Sequence, residues 1–233
     1  FAMYIAKKFE AWNEGDLESF LIEITAKVLA KQDPQGDGPL IDKIVDQAEQ
    51  KGTGRWTSED ALEQGVPLTA ITEAVFARTL SSLRDERAAA SKVLAGPEPA
   101  RTEDRRELLD DIQAALYASK VVAYAQGFQQ MAAASKANDW ELDLGAMATI
   151  WRGGCIIRAR FLDRIKEAYD AGEVVNLLTV PYFRDAVADG QEAWRQVIAA
   201  AVEQGVAVPA FTSSLAYYDG YRREHGPAGL IQG

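Results

Sequence analysis

An internal repeat restricts the fold of this chain more than any other feature of its sequence. The segment EQGVPLTAIT at residues 63–72 returns as EQGVAVPAFT at residues 203–212, an ungapped offset of 140, and each copy is predicted to open a helix. A second pair, WNEGDLESFLIEI from Trp12 and WRGGCIIRARFLDRI from Trp151, matches with a slip of two residues. Because there are two copies only, the repeat predicts a duplicated domain rather than an extended solenoid.

Apolar residues recur with helical spacing nearly everywhere, and no alternating strand pattern of useful length is present. Residues 103–137 carry two apolar stripes, which predict a long central helix that is buried on two sides. A second long helix is predicted from about Thr69 to Leu94. The predicted class is therefore all-α, with a first helical unit at about 12–100 and a second at about 151–233. Shorter helices are predicted at 3–12, 16–31, 39–50, 58–64, 158–171, 181–204 and 209–223.

Composition argues against several classes of protein. The chain has 35 acidic and 25 Lys or Arg residues, and nucleic-acid binding needs a broad basic face. No run of 18 apolar residues and no basic-then-apolar start occurs, so we predict no membrane span and a cytoplasmic location. Cys155 and His225 are the only residues of their kinds, so neither a disulfide nor a Cys/His metal site can form within one chain.

The segment QKGTGRWT at 50–57 is unexpectedly cationic for an acidic chain. It precedes a helix predicted to begin near Thr57, where Thr57 and Asp60 approximate a capping box. The N–H groups and the dipole at the start of a helix favour an anion, which Lys51 would attract and Thr53 could hydrogen-bond. The alternative is an ordinary exposed turn whose lysine faces water.

The repeat provides an internal control for this segment, because residues needed only for a helical fold are expected in both copies. The corresponding stretch 189–194 keeps a tryptophan but lacks the lysine and threonine, and Arg78 corresponds to Tyr218. A guanidinium among apolar neighbours needs an acceptor. A phosphate or carboxylate would serve, but so would a structural ion pair with Glu73 or Asp85, and both alternatives remain open.

Other motifs do not support a catalytic site. GTGRWT lacks the third glycine of a dinucleotide fingerprint and follows no strand, and no GxxxxGK[ST] loop occurs. No acid–base pair follows from residue spacing, and no cluster of metal ligands is present.

Several long blocks, taken together and in order, resemble the C-terminal domain of the decarboxylating 6-phosphogluconate dehydrogenases. These blocks are FLIEIT, DKIVDQAEQKGTGRWT, GVPLTAITEAVFARTLSSLRDERAAASKVL, QAALYASKVVAYAQGF, IWRGGCIIRARFLDRI and PAFTSSLAYYDGYR, followed by LIQ. The resemblance covers nearly the whole chain from about Trp12. It implies an all-helical, internally duplicated domain that forms much of a homodimer and one wall of a substrate site.

The resemblance also implies a function. It assigns substrate contacts to Lys51, Thr53 and Arg78, and it implies oxidation of 6-phosphogluconate with NADP to ribulose 5-phosphate and carbon dioxide, without a metal. The nucleotide-binding domain that would bind most of the NADP, together with the catalytic acid and base, is expected to precede Phe1. The arginine and histidine that the family inserts into the neighbouring subunit are not assigned here. The chain alone is therefore expected to be inactive, and the alternative is a free-standing helical dimerisation or binding module.

Overall fold

A computed structural model describes residues 1–49, 51–98 and 105–233. Within these ranges the chain is all-α, as predicted, and it contains no sheet. The helices are α1 (Ala2–Trp12), α2 (Phe20–Ala30), α3 (Thr53–Gln64), α4 (Thr69–Ser82), α5 (Arg84–Ala90), α6 (Arg105–Ala137), α7 (Leu144–Ile150), α8 (Phe161–Ala171), α9 (Pro181–Glu203), α10 (Pro209–Tyr221) and α11 (Ala228–Gln232). Short 3-10 turns lie at Leu40–Lys43 and Leu177–Thr179. No helix of the described ranges is both long and apolar enough to cross a lipid bilayer.

Helix α6 forms the centre of the molecule. Its 33 residues pack along α9 on one side and against α3, α4 and α10 on others, which explains its two apolar stripes. Phe128 of α6 and Trp194 of α9 are almost completely buried in the main core. The central helix is thus confirmed from Arg105 to Ala137, while the first two residues of the predicted range 103–137 lie outside the described residues.

The two copies of the repeat contact each other through corresponding segments. The residues leading into α2 and α8 run antiparallel, so that the N–H of Phe20 donates to the carbonyl oxygen of Arg158 at 3.1 Å. Likewise α4 packs against α10, the helices that follow the two EQGV segments. Gly65 and Gly205 end the preceding helices with φ of 68° and 66°, which favours glycine at both positions. The unit bounds at about 12–100 and 151–233 stay a prediction.

The predicted single helix from Thr69 to Leu94 is wrong, because the helix is interrupted at Leu83, between α4 and α5. The hydroxyls of Ser81 and Ser82 donate to the carbonyl oxygens of Arg78 and Thr79 at 2.7 and 2.6 Å. Serine side chains that bond nearby carbonyls compete with the helical pattern and often bend or end a helix.

The predicted helix at 39–50 is also wrong beyond its first turn, since only Leu40–Lys43 is helical and residues 44–49 are irregular. Distant contacts hold this stretch. The hydroxyl of Ser81 lies within hydrogen-bond distance of both the N–H and the carbonyl oxygen of Ala48, at 2.9 and 3.1 Å. Asp46 pairs with Arg87 at 2.5 Å. The remaining predicted helices are confirmed in position with shifted ends, whereas α7 and α11 were not predicted.

Candidate anion-binding site

Helix α3 begins within the cationic segment. Gly52 precedes it with a φ of 97°, which a glycine adopts without strain. The N–H of Trp56 donates to the carbonyl oxygen of Gly52 at 3.0 Å and makes the first hydrogen bond of the helix. The N–H groups of Thr53, Gly54 and Arg55 therefore have no acceptor within α3. They form the positive end of the helix dipole, which favours an anion.

The predicted start of this helix near Thr57 is wrong. Thr57 lies one turn inside α3, where its hydroxyl donates to the carbonyl oxygen of Thr53 at 2.8 Å. Asp60 does not complete a capping box, because its Oδ2 accepts a hydrogen bond from Gln130 at 2.6 Å. Thr53 thus becomes the first helical residue, and its side chain is exposed beside the unpaired N–H groups.

A glycine brings α3 close to α4. A Cβ atom at Gly54 would lie 2.8 Å from Cγ2 of Val75, closer than carbon atoms pack. The hydroxyl of Thr72 also donates to the hydroxyl of Ser58 across the same contact, at 3.1 Å. The start of α3 is therefore held against the middle of α4.

Gly54→Ala is expected to lower the free energy of unfolding by about 1–3 kcal/mol, because the β-branched Val75 cannot rotate away from the added methyl group. Gly127→Ala on α6 is the matched control, since a Cβ there meets no atom within 4 Å. The control is expected to stabilise the protein by about 0.5–1 kcal/mol. Urea unfolding of both variants measures the two changes, and a stabilising Gly54→Ala would contradict the close contact.

Arg78 lies one turn beyond Val75 on the same face of α4, and its side chain is exposed. Its guanidinium donates to the carbonyl oxygen of Glu49, two residues before Lys51. It pairs with neither Glu73 nor Asp85, so the structural ion pair considered from sequence is not formed. The contact with a neutral carbonyl leaves the charge of the guanidinium uncompensated.

Lys51 completes the candidate site at the start of α3. It is exposed, and it makes no ion pair with any residue in the described ranges. The nearby Arg55 differs, because its Nε lies 3.5 Å from the carboxylate of Glu59. The structure therefore places Lys51 and Thr53 at the start of α3 and brings the guanidinium of Arg78 to the backbone that leads into this helix, and neither cation has an ion-pair partner among the described residues.

Two buried residues that support this site were missed from sequence. Gln126 of α6 bonds the start of α4, and Gln130 bonds Thr57 and Asp60 in the second and third turns of α3. The sequence shows three amides among apolar residues of the central helix, Gln126, Gln129 and Gln130, but it does not indicate which distant groups they bond.

A separate cavity of about 560 Å³ lies between the α1–α2 loop, α6 and α9. Its titratable lining residues are Asp16, Asp110, Asp185, Asp189, Tyr117 and Tyr182. The hydroxyls of Tyr117 and Tyr182 lie 2.9 Å apart, and burial raises the pKa of Tyr117. Its aspartates would repel a sugar phosphate, so this cavity does not compete as an anion site. The described part of the chain contains no group of three or more His, Cys, Asp or Glu residues placed to hold a metal ion.

Lys120 is an unusual buried cation on α6. Its Nζ has no hydrogen-bond partner in the described structure and lies 5.2 Å from the ring centroid of Phe161. Loss of hydration lowers the pKa of Lys120 to about 8, although the charges of Glu18 and Asp16 act in the opposite direction. The group lies away from α3 and α4, and we assign it no role in anion binding.

Comparison with known proteins identifies the class of the fold and then the family. The structure matches a Plasmodium falciparum 6-phosphogluconate dehydrogenase, studied in its apo form and in complex with its cofactor NADP+ and its substrate 6-phosphogluconate, with a TM-score of 0.94 and 37% identity. The match covers 99% of this chain and 50% of that chain. The fold is therefore the helical half of a dehydrogenase of that kind.

The family model "6-phosphogluconate dehydrogenase, C-terminal domain" matches residues 2–233, and the chain belongs to this family. It is 53% identical over 225 residues to the decarboxylating 6-phosphogluconate dehydrogenase of Lactococcus lactis subsp. lactis (strain IL1403), covering 96% of this chain and 48% of the relative. It is also 53% identical over 229 residues to the enzyme of the same name from Staphylococcus epidermidis (strain ATCC 35984), covering 98% and 49%. The chain thus spans about half the length of these relatives.

Proposed function

We propose that this chain is the substrate-binding part of an NADP-dependent, decarboxylating 6-phosphogluconate dehydrogenase. The full-length enzyme would convert 6-phosphogluconate to ribulose 5-phosphate and carbon dioxide in the cytoplasm. The observation that supports this proposal best is the cluster of Lys51, Thr53 and Arg78 at the start of α3, in a chain that otherwise carries excess negative charge. Membership of the family supports 6-phosphogluconate as the anion that this cluster would bind.

The three residues have distinct roles in the proposed site. Arg78 can bind a phosphate or carboxylate through two parallel N–H groups, because a guanidinium is planar and forked. Lys51 supplies a compact charge, and the Thr53 hydroxyl can bond a sugar hydroxyl or a phosphate oxygen. The unpaired N–H groups at the start of α3 add further donors. Binding would replace the contact between Arg78 and the carbonyl of Glu49 with a stronger, charge-assisted one.

The described residues contain no strand and no glycine-rich turn between a strand and a helix, so they do not form a dinucleotide-binding fold of the Rossmann type. We therefore assign no residue of this chain to the cofactor, to acid catalysis or to base catalysis. In the proposed enzyme NADP accepts the hydride from the substrate, and this chain binds and orients the sugar acid. The complementary residues would belong to the nucleotide-binding half that the longer relatives have room for.

We also propose that a second copy of the chain covers an exposed apolar face of α2. Leu21, Ile24 and Val28 lie on one side of this helix at spacings of three and four residues and are 37–50% exposed. Ile156, which is 65% exposed, lines an apolar cavity of about 190 Å³ together with Leu21. A continuous exposed apolar patch is typical of a subunit interface, and homodimers are the commonest assembly.

The reaction is tested by following NADPH formation with 6-phosphogluconate, using the full-length enzyme and this chain alone. Activity of the full-length enzyme together with inactivity of this chain is the expected result. Inactivity of both would overturn the assignment and favour a helical dimerisation module. Sedimentation equilibrium on the same samples tests whether the protein is a dimer. Leu21→Glu is expected to shift the equilibrium from dimer toward monomer and to leave the unfolding temperature of the monomer unchanged.

A further inference from the structure

The central helix carries a buried amide at the junction of three helices. Gln126 is 0% exposed, and its Oε1 accepts a hydrogen bond from the N–H of Ala70 at 3.0 Å. Its Nε2 donates to the hydroxyl of Thr69 at 2.9 Å, and that hydroxyl donates in turn to the carbonyl oxygen of Ser213 on α10 at 3.4 Å. One side chain thus binds the first two residues of α4, whose N–H groups have no acceptor within the helix.

Gln130, one turn further along α6, binds α3 one turn inside that helix and acts there as a donor. It is 8% exposed, and its Nε2 donates to the carbonyl oxygen of Thr57 at 2.9 Å and to Oδ2 of Asp60 at 2.6 Å. Because residues four apart share one face of a helix, Gln126 and Gln130 form a pair that bonds α4 and α3 from the same side of α6. These are the two helices that carry Arg78 and Thr53.

The second copy of the repeat is held differently. At the offset of 140, Thr69 corresponds to Pro209, which occupies the first position of α10 and has no N–H group to satisfy. Helix α10 is bonded to α6 further along its length, where the hydroxyl of Tyr217 donates to Oε1 of Gln129 at 2.6 Å. The hydrogen bonds between a buried glutamine side chain and the start of a helix therefore occur in the copy that has the cationic residues.

We infer that Gln126 and Gln130 are positioning residues, which fix α4 and α3 on the central helix so that Arg78 and Thr53 meet one anion. The inference rests on the proposed function. Arg78 lies nine residues beyond Thr69, or about 13 Å along the helix axis. A tilt of about 5° at an unbonded start of α4 would then move Arg78 by about 1 Å, and misplacement of this size is costly in a preorganised site.

Gln126→Leu in the full-length enzyme tests the inference. Tyr217→Phe is the control, because it removes the hydrogen bond between Tyr217 of α10, in the second copy, and the side-chain amide of Gln129 of α6. Gln126→Leu is expected to raise the KM for 6-phosphogluconate about tenfold, with kcat changed less than about twofold. Tyr217→Phe is expected to lower the unfolding temperature by a similar amount and to leave KM unchanged. Gln126→Glu keeps an acceptor for the N–H of Ala70 and should recover part of the lost affinity.

A purely structural role would give a different result. If Gln126→Leu and Tyr217→Phe lowered stability equally and neither changed KM, the positioning role would be overturned. Equal increases of KM in both variants would overturn it as well, because the effect would then follow from general loss of stability.

Hydrogen exchange of the unliganded protein separates this inference from the proposed function. Gln126→Leu is expected to speed amide exchange at the start of α4 more than at the start of α10, whether or not the enzyme turns over 6-phosphogluconate. Unchanged exchange at α4 would overturn the positioning role. An inactive wild-type enzyme with faster exchange at α4 in the variant would instead overturn the proposed function and leave the structural link to α4 supported.

Discussion

Arg78→Ala in the full-length enzyme is expected to raise the KM for 6-phosphogluconate between about 30-fold and several thousand-fold. This range corresponds to the 2–5 kcal/mol that commonly follows loss of one partner from a charged contact with a ligand. The unfolding temperature should change little, because the Arg78 side chain is exposed and, among the described residues, bonds a neutral carbonyl of Glu49 and no carboxylate. Steady-state kinetics and thermal unfolding of the same preparation measure both effects.

Arg55→Ala is the matched control for this variant. It removes an equal charge from the same end of α3, but the guanidinium of Arg55 already faces the carboxylate of Glu59. We expect the KM of this variant to rise less than about threefold, because Glu59 already compensates the charge of Arg55 and exposed charges are screened by salt. An unfolding temperature that falls sharply in Arg78→Ala while KM holds would show that Arg78 is a structural residue.

Lys120→Met is expected to increase the free energy of unfolding at neutral pH by about 1–3 kcal/mol. The Lys120 ammonium is buried and has no hydrogen-bond partner among the described residues, and burial lowers its pKa from 10.5 to about 8. At about 1.4 kcal/mol per pKa unit this burial costs on the order of 3 kcal/mol, and loss of the contact with the Phe161 ring offsets part of the gain. Methionine keeps the length and apolar body of the side chain.

The pH dependence of stability checks the same group. Because the folded pKa of Lys120 lies below the unfolded value, the unfolded chain binds more protons between pH 8 and 10.5, and stability should rise with pH across this window. Urea unfolding between about pH 7.5 and 9.5 avoids the range in which Tyr124 and Tyr169 titrate, since burial raises the pKa of each to about 12. If stability rose with pH equally in Lys120→Met, the rise could not be assigned to Lys120.

Periodicity predicted the fold class and most helices correctly, because local burial determines where apolar residues recur. Periodicity failed where contacts with side chains determine the conformation of the backbone. The stretch at 44–49 has a helical pattern, but Ser81 and Arg87 hold it in an irregular path. Leu83 lies within a helical pattern too, and the preceding serine hydroxyls end the helix there.

Part of the candidate site was predicted by comparing the two copies of the repeat. Lys51, Thr53 and Arg78 stood out because the second copy of the repeat lacks them, and in the structure Arg78 bonds Glu49 in the segment that leads to the other two. Their role in binding a substrate stays a prediction. Gln126 and Gln130 could not be found in this way. Their partners lie 56 and 73 residues away along the chain, and a glutamine in a helix gives no local sign of a buried acceptor.

The antiparallel contact between Phe20 and Arg158 has a consequence for the origin of the domain. It joins corresponding places of the two copies, as a two-fold axis does in a symmetric pair of identical subunits. A shorter ancestor with one copy could have made the same bonds between two separate molecules. Fusion of its gene would free each half to diverge, and the two halves now differ in that just one carries Lys51, Thr53 and Arg78.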